Sequence, residues 1–172
     1  MIEQLTLPAG DDDVRDLALL LLDATAAGAS VGFLESTTIE DAIAWWRQSL
    51  SERTILLVAR DAEGITGTVQ LRPAPMPNQP HRADVAKLLV HRRARRQGLG
   101  ALLMHEIERR ARSAGFTLLV LDTKRGDAAE SLYRRNGWSE VGVIPGYAMN
   151  PDGSMCDTVV FYKELSADDI RV

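Results

Sequence analysis

Apolar and polar positions follow two different periods along the first part of the chain. Residues 2–7, "IEQLTL", alternate one by one, which predicts a first strand. After the acidic turn "AGDDD", apolar residues recur at helical spacing from about Val14 to Ala27. A second helix is predicted to begin at a threonine cap, Thr37 or Thr38, and to end near residue 51.

The middle of the chain changes to strand patterns. The segments "TILLVARD", "AEG" and "ITGTVQLRP" predict a β-hairpin over residues 54–72. Four prolines in residues 73–81 cannot continue a ladder of hydrogen bonds and predict an exposed loop. Residues 83–91, "ADVAKLLVH", predict the next strand. Leucines, an isoleucine and alanines at helical spacing then predict a helix over 99–115.

The last third predicts one buried strand, one short helix and a final pair of strands. Residues 116–123, "FTLLVLDT", are nearly all apolar, as expected for a strand that is buried on both faces. A short helix over 127–137 ends at a glycine. The final strands are predicted over 138–144 and 157–165, with residues 145–154 as the loop between them.

The order of these elements predicts the fold class. A strand, a helix and a strand over residues 83–122 predict a parallel pair joined by a right-handed crossover. Together the elements predict an α/β (α+β) fold, with a mixed central sheet of about seven strands flanked by about four helices. No repeat or linker interrupts the pattern, so residues 1–172 are predicted to form a single domain.

Composition excludes several classes of function. The formal net charge is -4, which argues against a nucleic-acid binder with a broad basic face. The only cysteine, Cys156, allows no internal disulfide, and the three histidines show no metal-ligand spacing, so no metal is predicted. The longest nearly apolar run, residues 17–22, is too short to cross a bilayer. We therefore expect a cytoplasmic protein without a membrane partner.

Residues 92–100, "RRARRQGLG", place four arginines directly before two glycines at a strand-to-helix turn. The first N–H groups of a helix lack intrahelical partners and carry positive potential, so such a turn can hold an anion. Gly98 and Gly100 would let a ligand approach the backbone, and arginine can pair with phosphate oxygens. The third glycine of the Rossmann motif and the Gly-Lys-Ser/Thr of the Walker motif are both absent. A diphosphate is the predicted ligand, with a structural turn and solvated arginines as the alternative.

The segment "LLVHRRARRQGLGALLM" resembles motif A of the GNAT superfamily of acyl-CoA-dependent N-acyltransferases. Val90 is followed after four residues by Arg95-Arg96-Gln97-Gly98-Leu99-Gly100, in register with that motif. A second segment, "AAESLYRRNGW", resembles the family's later motif, with Tyr133 four residues before Gly137 and Trp138. Within the superfamily the chain looks most like the tabtoxin resistance acetyltransferases, which acetylate an amino group of a small amino-acid-like toxin and so provide resistance to it. One departure is Gly126, where many members carry asparagine.

The resemblance implies acetyl-CoA as co-substrate and a set of residues that bind it. Backbone N–H groups from about Arg96 to Ala101 would surround the diphosphate, and the strand 88–90 would pair with the pantetheine amides. The N–H of Leu88 would polarise the thioester carbonyl. The implied cofactor-binding residues are Leu88, Leu89, Val90, Arg95, Arg96, Gln97, Gly98, Gly100, Ala101 and Ala129.

The chemistry of amide formation asks for a base and an acid. An alkyl ammonium has no lone pair, so a base must remove a proton before the nitrogen attacks the thioester directly. Asp122, at the end of the strand 116–123, is the candidate base, and binding of the substrate ammonium or capping of the next loop are its alternatives. Tyr133, whose phenol lies near the sulfur in the family pattern, is the candidate acid, with a core aromatic as its alternative.

The sequence suggests residues that bind the acceptor but leaves its chemical class open. Glu35 and Tyr147 are candidate substrate-binding residues, because the loop "GFLEST" and the segment "GYAMNPDG" lie where the family's acceptor pocket is walled, with ordinary loop residues as the alternative. Trp46 is a third candidate: it and Trp45 are adjacent on a helix and face different ways, so one is expected in the core and the other could line an acceptor cleft. A pocket roofed by residues 30–50 would favour a small amine, and an open groove would favour a peptide. A non-catalytic acyl-CoA sensor would not need Asp122 and Tyr133. Monomer and homodimer both stay open.

Overall fold

The computed structural model describes residues 1–166. The helices in this part of the chain are α1 (Asp11–Ala26), α2 (Ile39–Ser49), α3 (Leu99–Ser113) and α4 (Ala128–Arg135), with a 3-10 turn at Arg92–Ala94. The strands are β1 (Ile2–Gln4), β2 (Ile55–Asp61), β3 (Gly64–Pro73), β4 (Arg82–Val90), β5 (Leu118–Lys124), β6 (Ser139–Met149) and β7 (Met155–Glu164).

The strands form one mixed sheet in the order β1-β2-β3-β4-β5-β7-β6. The β4–β5 pair is parallel, with Arg82 opposite Leu118, and the other five neighbouring pairs are antiparallel. Helix α3 connects the two parallel strands. Parallel neighbours need such a crossover connection, whereas antiparallel strands can be joined by a short turn. The predicted fold class and the predicted parallel pair are confirmed.

Helices cover both faces of the sheet. On one face, here called the α3 face, Leu57, Val69 and Leu71 pack with buried residues of α3. On the opposite face, the α1 face, Leu56 and Val58 pack with buried residues of α1 and α2. Successive side chains of a strand point to opposite faces, so β2 contributes side chains to the cores on both faces of the sheet.

Local sequence signals set the helix ends. Thr38 is the N-cap of α2, and its hydroxyl accepts from the Asp41 N–H at 3.1 Å while the Asp41 carboxylate accepts from the Thr38 N–H at 3.0 Å. This reciprocal capping box satisfies N–H groups that the first turn leaves free. The chain leaves α3 through Gly115, whose φ of +85° suits a residue without a Cβ.

Two boundaries differ from the sequence prediction. Helix α1 begins at Asp11, because the acidic residues that were predicted as turn and cap occupy its first helical turn. Strand β6 continues through the first half of the predicted loop 145–154 and ends at Met149. Its pairing with β7 is interrupted between Ile144 and Ala148. Proline is tolerated at such an irregularity of an edge strand, so Pro145 does not end the strand.

The parallel strands β4 and β5 pair only at their beginnings. Residues Arg82–Asp84 lie opposite Leu118–Val120, and no pairing of the two strands continues beyond them, although both strands do. An extra residue in β4 shifts its register with β3, and Lys87 at this bulge has a left-handed φ of +52°. The separated ends of the two strands form what we call the β4–β5 gap.

Candidate active site

The β4–β5 gap is bordered by the turn that leads into α3 and by α4. After β4, the chain makes the 3-10 turn and reaches Gly98 and Gly100 at the start of α3. After β5, a short connection leads to α4. The segment before α3 and the residues that follow β5 therefore meet at the same edge of the sheet. In open α/β sheets this edge, at the carboxyl ends of the strands, is where ligands bind.

The turn before α3 presents free backbone donors. Gly98 is the N-cap of the helix, with a φ of +81° and no side-chain cap, and the first intrahelical bond of this turn runs from the Leu102 N–H to the Gly98 carbonyl at 3.1 Å. A Cβ on Gly98 would have nothing within 4 Å, so the space above the turn is open. An uncapped helix N-terminus with open space in front of it suits an anionic group.

Three of the four arginines of the turn form ion pairs or hydrogen bonds with other groups of the protein. Arg92 pairs with Asp23 of α1, Arg93 pairs with Asp61 of β2 at 2.9 Å, and the Arg95 Nε–H donates to the Val90 carbonyl at 2.9 Å. The sequence prediction that the arginines extend outward to phosphate therefore needs correction for these three. Arg96, with a φ of +63°, is exposed and has no side-chain partner within residues 1–166.

The remaining predicted cofactor-binding residues lie around the same gap. Leu88, Leu89 and Val90 form the part of β4 beyond its pairing with β5, while Gln97, Gly100 and Ala101 lie in the turn and the first turn of α3, and Ala129 lies in the first turn of α4. A Cβ on Gly100 would lie 3.4 Å from Leu132 of α4. A free strand edge and free helix N–H groups fit the amides and the diphosphate of coenzyme A.

Asp122 lies on β5, two residues before the end of the strand. Its neighbours Leu119 and Leu121 are buried in the core of the α3 face, so the exposed Asp122 side chain points to the α1 face. The Thr158 hydroxyl of β7 lies 3.0 Å from Asp122 Oδ2. The carboxylate is therefore held at the rim of the β4–β5 gap and is accessible to a ligand.

Tyr133 projects from α4 into the core of the α3 face. Its side chain is buried, with ring centroids 6.0 Å from Trp138 and 5.9 Å from Phe161. The hydroxyl has no hydrogen-bond partner within the described chain. Burial and the nearby charges of Asp122 and Asp127 raise the pKa of the phenol well above its usual value, so it keeps its proton at neutral pH.

Lys87, which the sequence reasoning did not select, lies at the bulge of β4. Its Nζ donates to the Val31 carbonyl at 2.6 Å and lies 4.7 Å from the ring centroid of Trp45 and 5.5 Å from that of Phe33. Burial and the charge of Arg72 lower the pKa of Lys87 to about 8, against a smaller raising effect of Asp122. The available signal was a single lysine within the apolar strand "ADVAKLLV".

The predicted substrate-binding residues have different environments. Glu35 is exposed in the α1–α2 loop, and Tyr147 is exposed on β6. Trp46 is fully buried in the core of the α1 face, so the structure does not bring it to the gap. Its neighbour Trp45 remains partly accessible and packs edge-on against Phe33, at a centroid distance of 5.3 Å.

Other kinds of site find no support in the described residues. Within residues 1–166 no group of three or more His, Cys, Asp or Glu side chains is arranged to hold a metal ion. In the same part of the chain no helix is long and apolar enough to cross a membrane.

Sequence comparison agrees with this geometry. The sequence profile described as "Acetyltransferase (GNAT) family" matches residues 20–138, which include the turn before α3, Asp122 and Tyr133. The chain belongs to the GNAT acetyltransferase family. GNAT proteins use acetyl-CoA, so the protein is an acetyl-CoA-dependent N-acetyltransferase.

Solved structures share this GNAT fold along nearly the whole chain. The ribosomal-protein-alanine N-acetyltransferase from Brucella melitensis is 22% identical, with a TM-score of 0.79 over 96% of this chain and 99% of that chain. A "putative phosphinothricin N-acetyltransferase" is 23% identical, with a TM-score of 0.78 over 96% and 98%. The yncA protein from Salmonella typhimurium, solved with its cofactor acetyl-CoA, is 19% identical, with a TM-score of 0.77 over 96% and 94%.

Proposed function

We propose that the protein transfers the acetyl group of acetyl-CoA to the primary amine of a small, amino-acid-like molecule, by direct attack of the amine nitrogen. The observation that carries the choice of a small acceptor is the anchoring of the α1–α2 loop. The Ser30 hydroxyl donates to the Met149 carbonyl at 2.9 Å, the Glu35 N–H donates to the Pro151 carbonyl at 3.0 Å, and Lys87 holds Val31.

These contacts tie one loop to both sides of the β4–β5 gap. Lys87 belongs to β4, whereas Met149 and Pro151 lie at the end of β6 and in the β6–β7 turn. The loop residues 30–35 therefore extend across the strands that lie between β4 and β6 in the sheet. A covered acceptor side favours a small ligand over an extended peptide, because a peptide needs an open groove.

In this proposal the chain supplies binding, orientation and proton transfer. The N–H groups of residues 96–101 bind the diphosphate, and the free edge of β4 at Leu88, Leu89 and Val90 pairs with the pantetheine arm. Arg95 contributes through its backbone, since its guanidinium is bonded to Val90. When bound, acetyl-CoA supplies an activated acyl group as a thioester. The N–H of Leu88 stabilises negative charge on the carbonyl oxygen.

Asp122 and Tyr133 carry the proton transfers. The Asp122 carboxylate accepts a proton from the acceptor ammonium, which frees the nitrogen lone pair. Tyr133 donates its phenolic proton to the leaving sulfur. The hydroxyl suits this role because it carries its proton at neutral pH and donates it to no other group within the described residues.

The direct test is a screen of primary amines, amino acids and short peptides with acetyl-CoA, with release of free thiol as the readout. The proposal expects turnover with a class of small amines, faster than with any peptide. The names of the similar structures include both a ribosomal-protein-alanine and a phosphinothricin acetyltransferase, so a protein acceptor is the second candidate. Preference for peptides would favour that candidate. Tight coenzyme binding without turnover of any amine would favour an acyl-CoA sensor.

The resemblance to tabtoxin resistance acetyltransferases supports the same choice of acceptor. Within this proposal, Glu35 and Tyr147 face a small zwitterionic or cationic molecule from the α1–α2 loop and from β6. A toxin or antibiotic with a free amine is therefore included in the screen.

A further inference from the structure

Within residues 1–166, the Lys87 ammonium makes a single hydrogen bond. One N–H donates to the Val31 carbonyl at 2.6 Å, and the faces of Trp45 and Phe33 lie beside the charge. A lysine has three N–H donors, so two are free for other acceptors. Within residues 1–166, no carboxylate lies within ion-pair distance of Nζ.

A partly buried cation without a carboxylate partner is unfavourable. Removal of water from the ammonium disfavours its charged form, and the nearby Arg72 adds to this effect, which together hold the pKa of Lys87 at about 8. Aromatic faces compensate only part of the lost hydration. A negatively charged group of a ligand would supply the missing counterion.

The opposite charge lies across the β4–β5 gap on the same face of the sheet. Lys87 contacts α2 and the α1–α2 loop, so it points to the α1 face, as Asp122 does. Asp122 is close enough for its charge to raise the pKa of Lys87. The site therefore has an anionic side on β5 and a cationic side on β4.

Two further residues on the α1 face lie near Lys87. Arg72 adds a second cation, and Gln70 adds an amide group without a partner among the described residues. Gln70 and Arg72 alternate along β3 with Val69 and Leu71, which belong to the core of the α3 face. Gln70 pairs in register with Ala86, the residue before Lys87, and its fully buried amide has no hydrogen-bond partner among residues 1–166. The Arg72 guanidinium is exposed and has no ion-pair partner in the described part of the chain.

We infer that Lys87 binds a carboxylate of the acceptor while Asp122 faces its amine, so that the acceptor is a zwitterion with both groups. This inference rests on the proposed function and names its substrate class. Lys87 is then a residue that determines specificity, and the aromatic rings of Phe33 and Trp45 form the wall beside the bound carboxylate. A purely structural alternative is that Lys87 only holds the α1–α2 loop in place.

Matched substrate pairs separate these two roles. Each proteinogenic amino acid is compared with its carboxamide, which keeps the amine and the side chain but lacks the carboxylate. For the best amino acid, the wild-type protein is expected to show a kcat/KM at least about tenfold above that of the carboxamide, since a hydrogen bond between two charged groups is among the stronger ones in proteins. Lys87→Met should remove this preference by lowering only the kcat/KM of the amino acid.

Two control variants accompany Lys87→Met. Lys87→Arg keeps a cation and should retain the preference for the amino acid. Arg15→Met removes an exposed cation of α1 and should leave both substrates unchanged. Thermal unfolding and coenzyme binding of every variant are measured in parallel. Equal loss of activity toward the amino acid and its carboxamide in Lys87→Met would overturn the inference in favour of the structural role, as would a wild-type preference for carboxamides.

A second readout does not require turnover. The Trp45 ring lies 4.7 Å from Nζ, so a carboxylate that pairs with Lys87 should change tryptophan emission. Amino acids should produce this change in the wild-type protein bound to coenzyme A, whereas carboxamides should not, and Lys87→Met should abolish it. A response to amino acids without acetylation would contradict the proposed function and uphold carboxylate binding. If amino acids cause neither a change in tryptophan emission nor acetylation, this inference is overturned.

Discussion

The Thr158 hydroxyl oxygen lies 3.0 Å from Asp122 Oδ2 and 2.9 Å from the Thr123 carbonyl oxygen. A hydroxyl has one proton and two acceptor sites. When it donates to the Thr123 carbonyl, it can accept a hydrogen bond from a protonated Asp122, and it can donate to Asp122 when the carboxylate is ionised. The carboxyl group therefore has a hydrogen-bond partner in both protonation states.

Replacement of Asp122 by asparagine should remove the proposed base and preserve the contact of this side chain with Thr158. We expect kcat to fall by a factor of about 10² or more, which is the usual contribution of general base catalysis. Coenzyme affinity and thermal stability should change little, because the exposed side chain keeps its size. A pH–rate profile of the best amine should lose its acidic limb in Asp122→Asn.

The shape of that profile distinguishes the two roles of Asp122. If the variant keeps the acidic limb and only its KM rises, Asp122 binds the substrate ammonium and does not accept its proton. Thr158→Val is the companion variant, since it removes the hydroxyl at nearly constant volume. It should lower kcat less than Asp122→Asn does.

The fold was predictable from sequence because hydrophobic period and turn residues act locally. The glycine turn before α3 and the parallel β4–β5 pair were evident in the pattern, and the cap of α2 was narrowed to Thr37 or Thr38, of which the structure uses Thr38. The extension of β6 was not, because a proline and a glycine usually end a strand and only the pairing with β7 retains them. Tertiary contacts override local propensity at such positions.

The site was less predictable because partner choice depends on elements distant in sequence. Arg92 is bonded to Asp23, which is 69 residues away, and no local pattern marks that pair. Trp45 and Trp46 are equivalent in the sequence pattern, and only the position of α2 on the sheet decides which one is buried. Lys87 becomes notable only when the bulge, Val31 and the aromatic rings lie together.

Replacement of Tyr133 by phenylalanine should reduce catalysis without loss of stability. The hydroxyl makes no hydrogen bond within the described residues, so its removal leaves no protein partner unsatisfied and should change the free energy of unfolding by less than about 1 kcal/mol. As a general acid, however, the hydroxyl should contribute a factor of about 10² to kcat. Steady-state kinetics and urea unfolding measure the two effects separately. An unchanged kcat would make Tyr133 a core aromatic only.

Replacement of Gly98 by alanine should weaken coenzyme binding. Gly98 has a φ of +81°, and a Cβ there would project into the open space above the turn. We expect the Kd of coenzyme A, measured by calorimetry, to rise by at least about tenfold, because the proposed contacts of its diphosphate are the N–H donors of this turn. The left-handed conformation should also cost about 1 kcal/mol of stability.

Gly115 offers a matched control for this strain. Its φ is +85° and a Cβ there also meets nothing within 4 Å, but it lies at the opposite end of α3. Gly115→Ala should lower the melting temperature to a similar extent and leave the Kd unchanged. An equal change of Kd in both variants would mean that backbone strain, and not the blocked turn, weakens binding.

Burial of Lys87 should make stability depend on pH in the alkaline range. The folded protein holds the pKa of Lys87 at about 8, below its ordinary value of 10.5, through burial and Arg72, with Asp122 opposing them. Between these two values the unfolded chain binds more protons, so the free energy of unfolding rises with pH by up to roughly 3 kcal/mol. The cost of the buried charge is fully present below pH 8.

Comparison with Lys87→Met isolates this contribution. Other groups titrate alike in both proteins. The free energy of unfolding of the wild type should therefore rise relative to that of Lys87→Met as the pH rises from about 8 to 10.5. Urea unfolding at intervals of half a pH unit measures it. A constant difference across this range would mean that the ammonium is hydrated in the folded state, and the argument for a missing counterion would fail.

Glu108 should be the most sensitive polar position of the α3 face. Its side chain is almost fully buried at 4% exposure, and it accepts from Trp138 Nε1 at 2.9 Å and from Lys163 Nζ at 2.8 Å. These bonds join α3 to the start of β6 and to β7. Glu108→Ala leaves the buried Trp138 Nε1 without its acceptor and takes the ion-pair partner from Lys163, which keeps only the Asn136 carbonyl at 2.7 Å. The free energy of unfolding should therefore fall by about 3–5 kcal/mol.

A double-mutant cycle with Lys163 separates the lost charge pair from the lost packing. Lys163→Met alone should cost less than Glu108→Ala, because the lysine is partly accessible. The double variant should be less destabilised than the sum of the two single variants, since neither member of the Glu108–Lys163 pair is then left without the other. Additive losses would instead show that the two groups do not interact. Because Glu108 lies in the core and not at the β4–β5 gap, folded variants should retain wild-type coenzyme affinity.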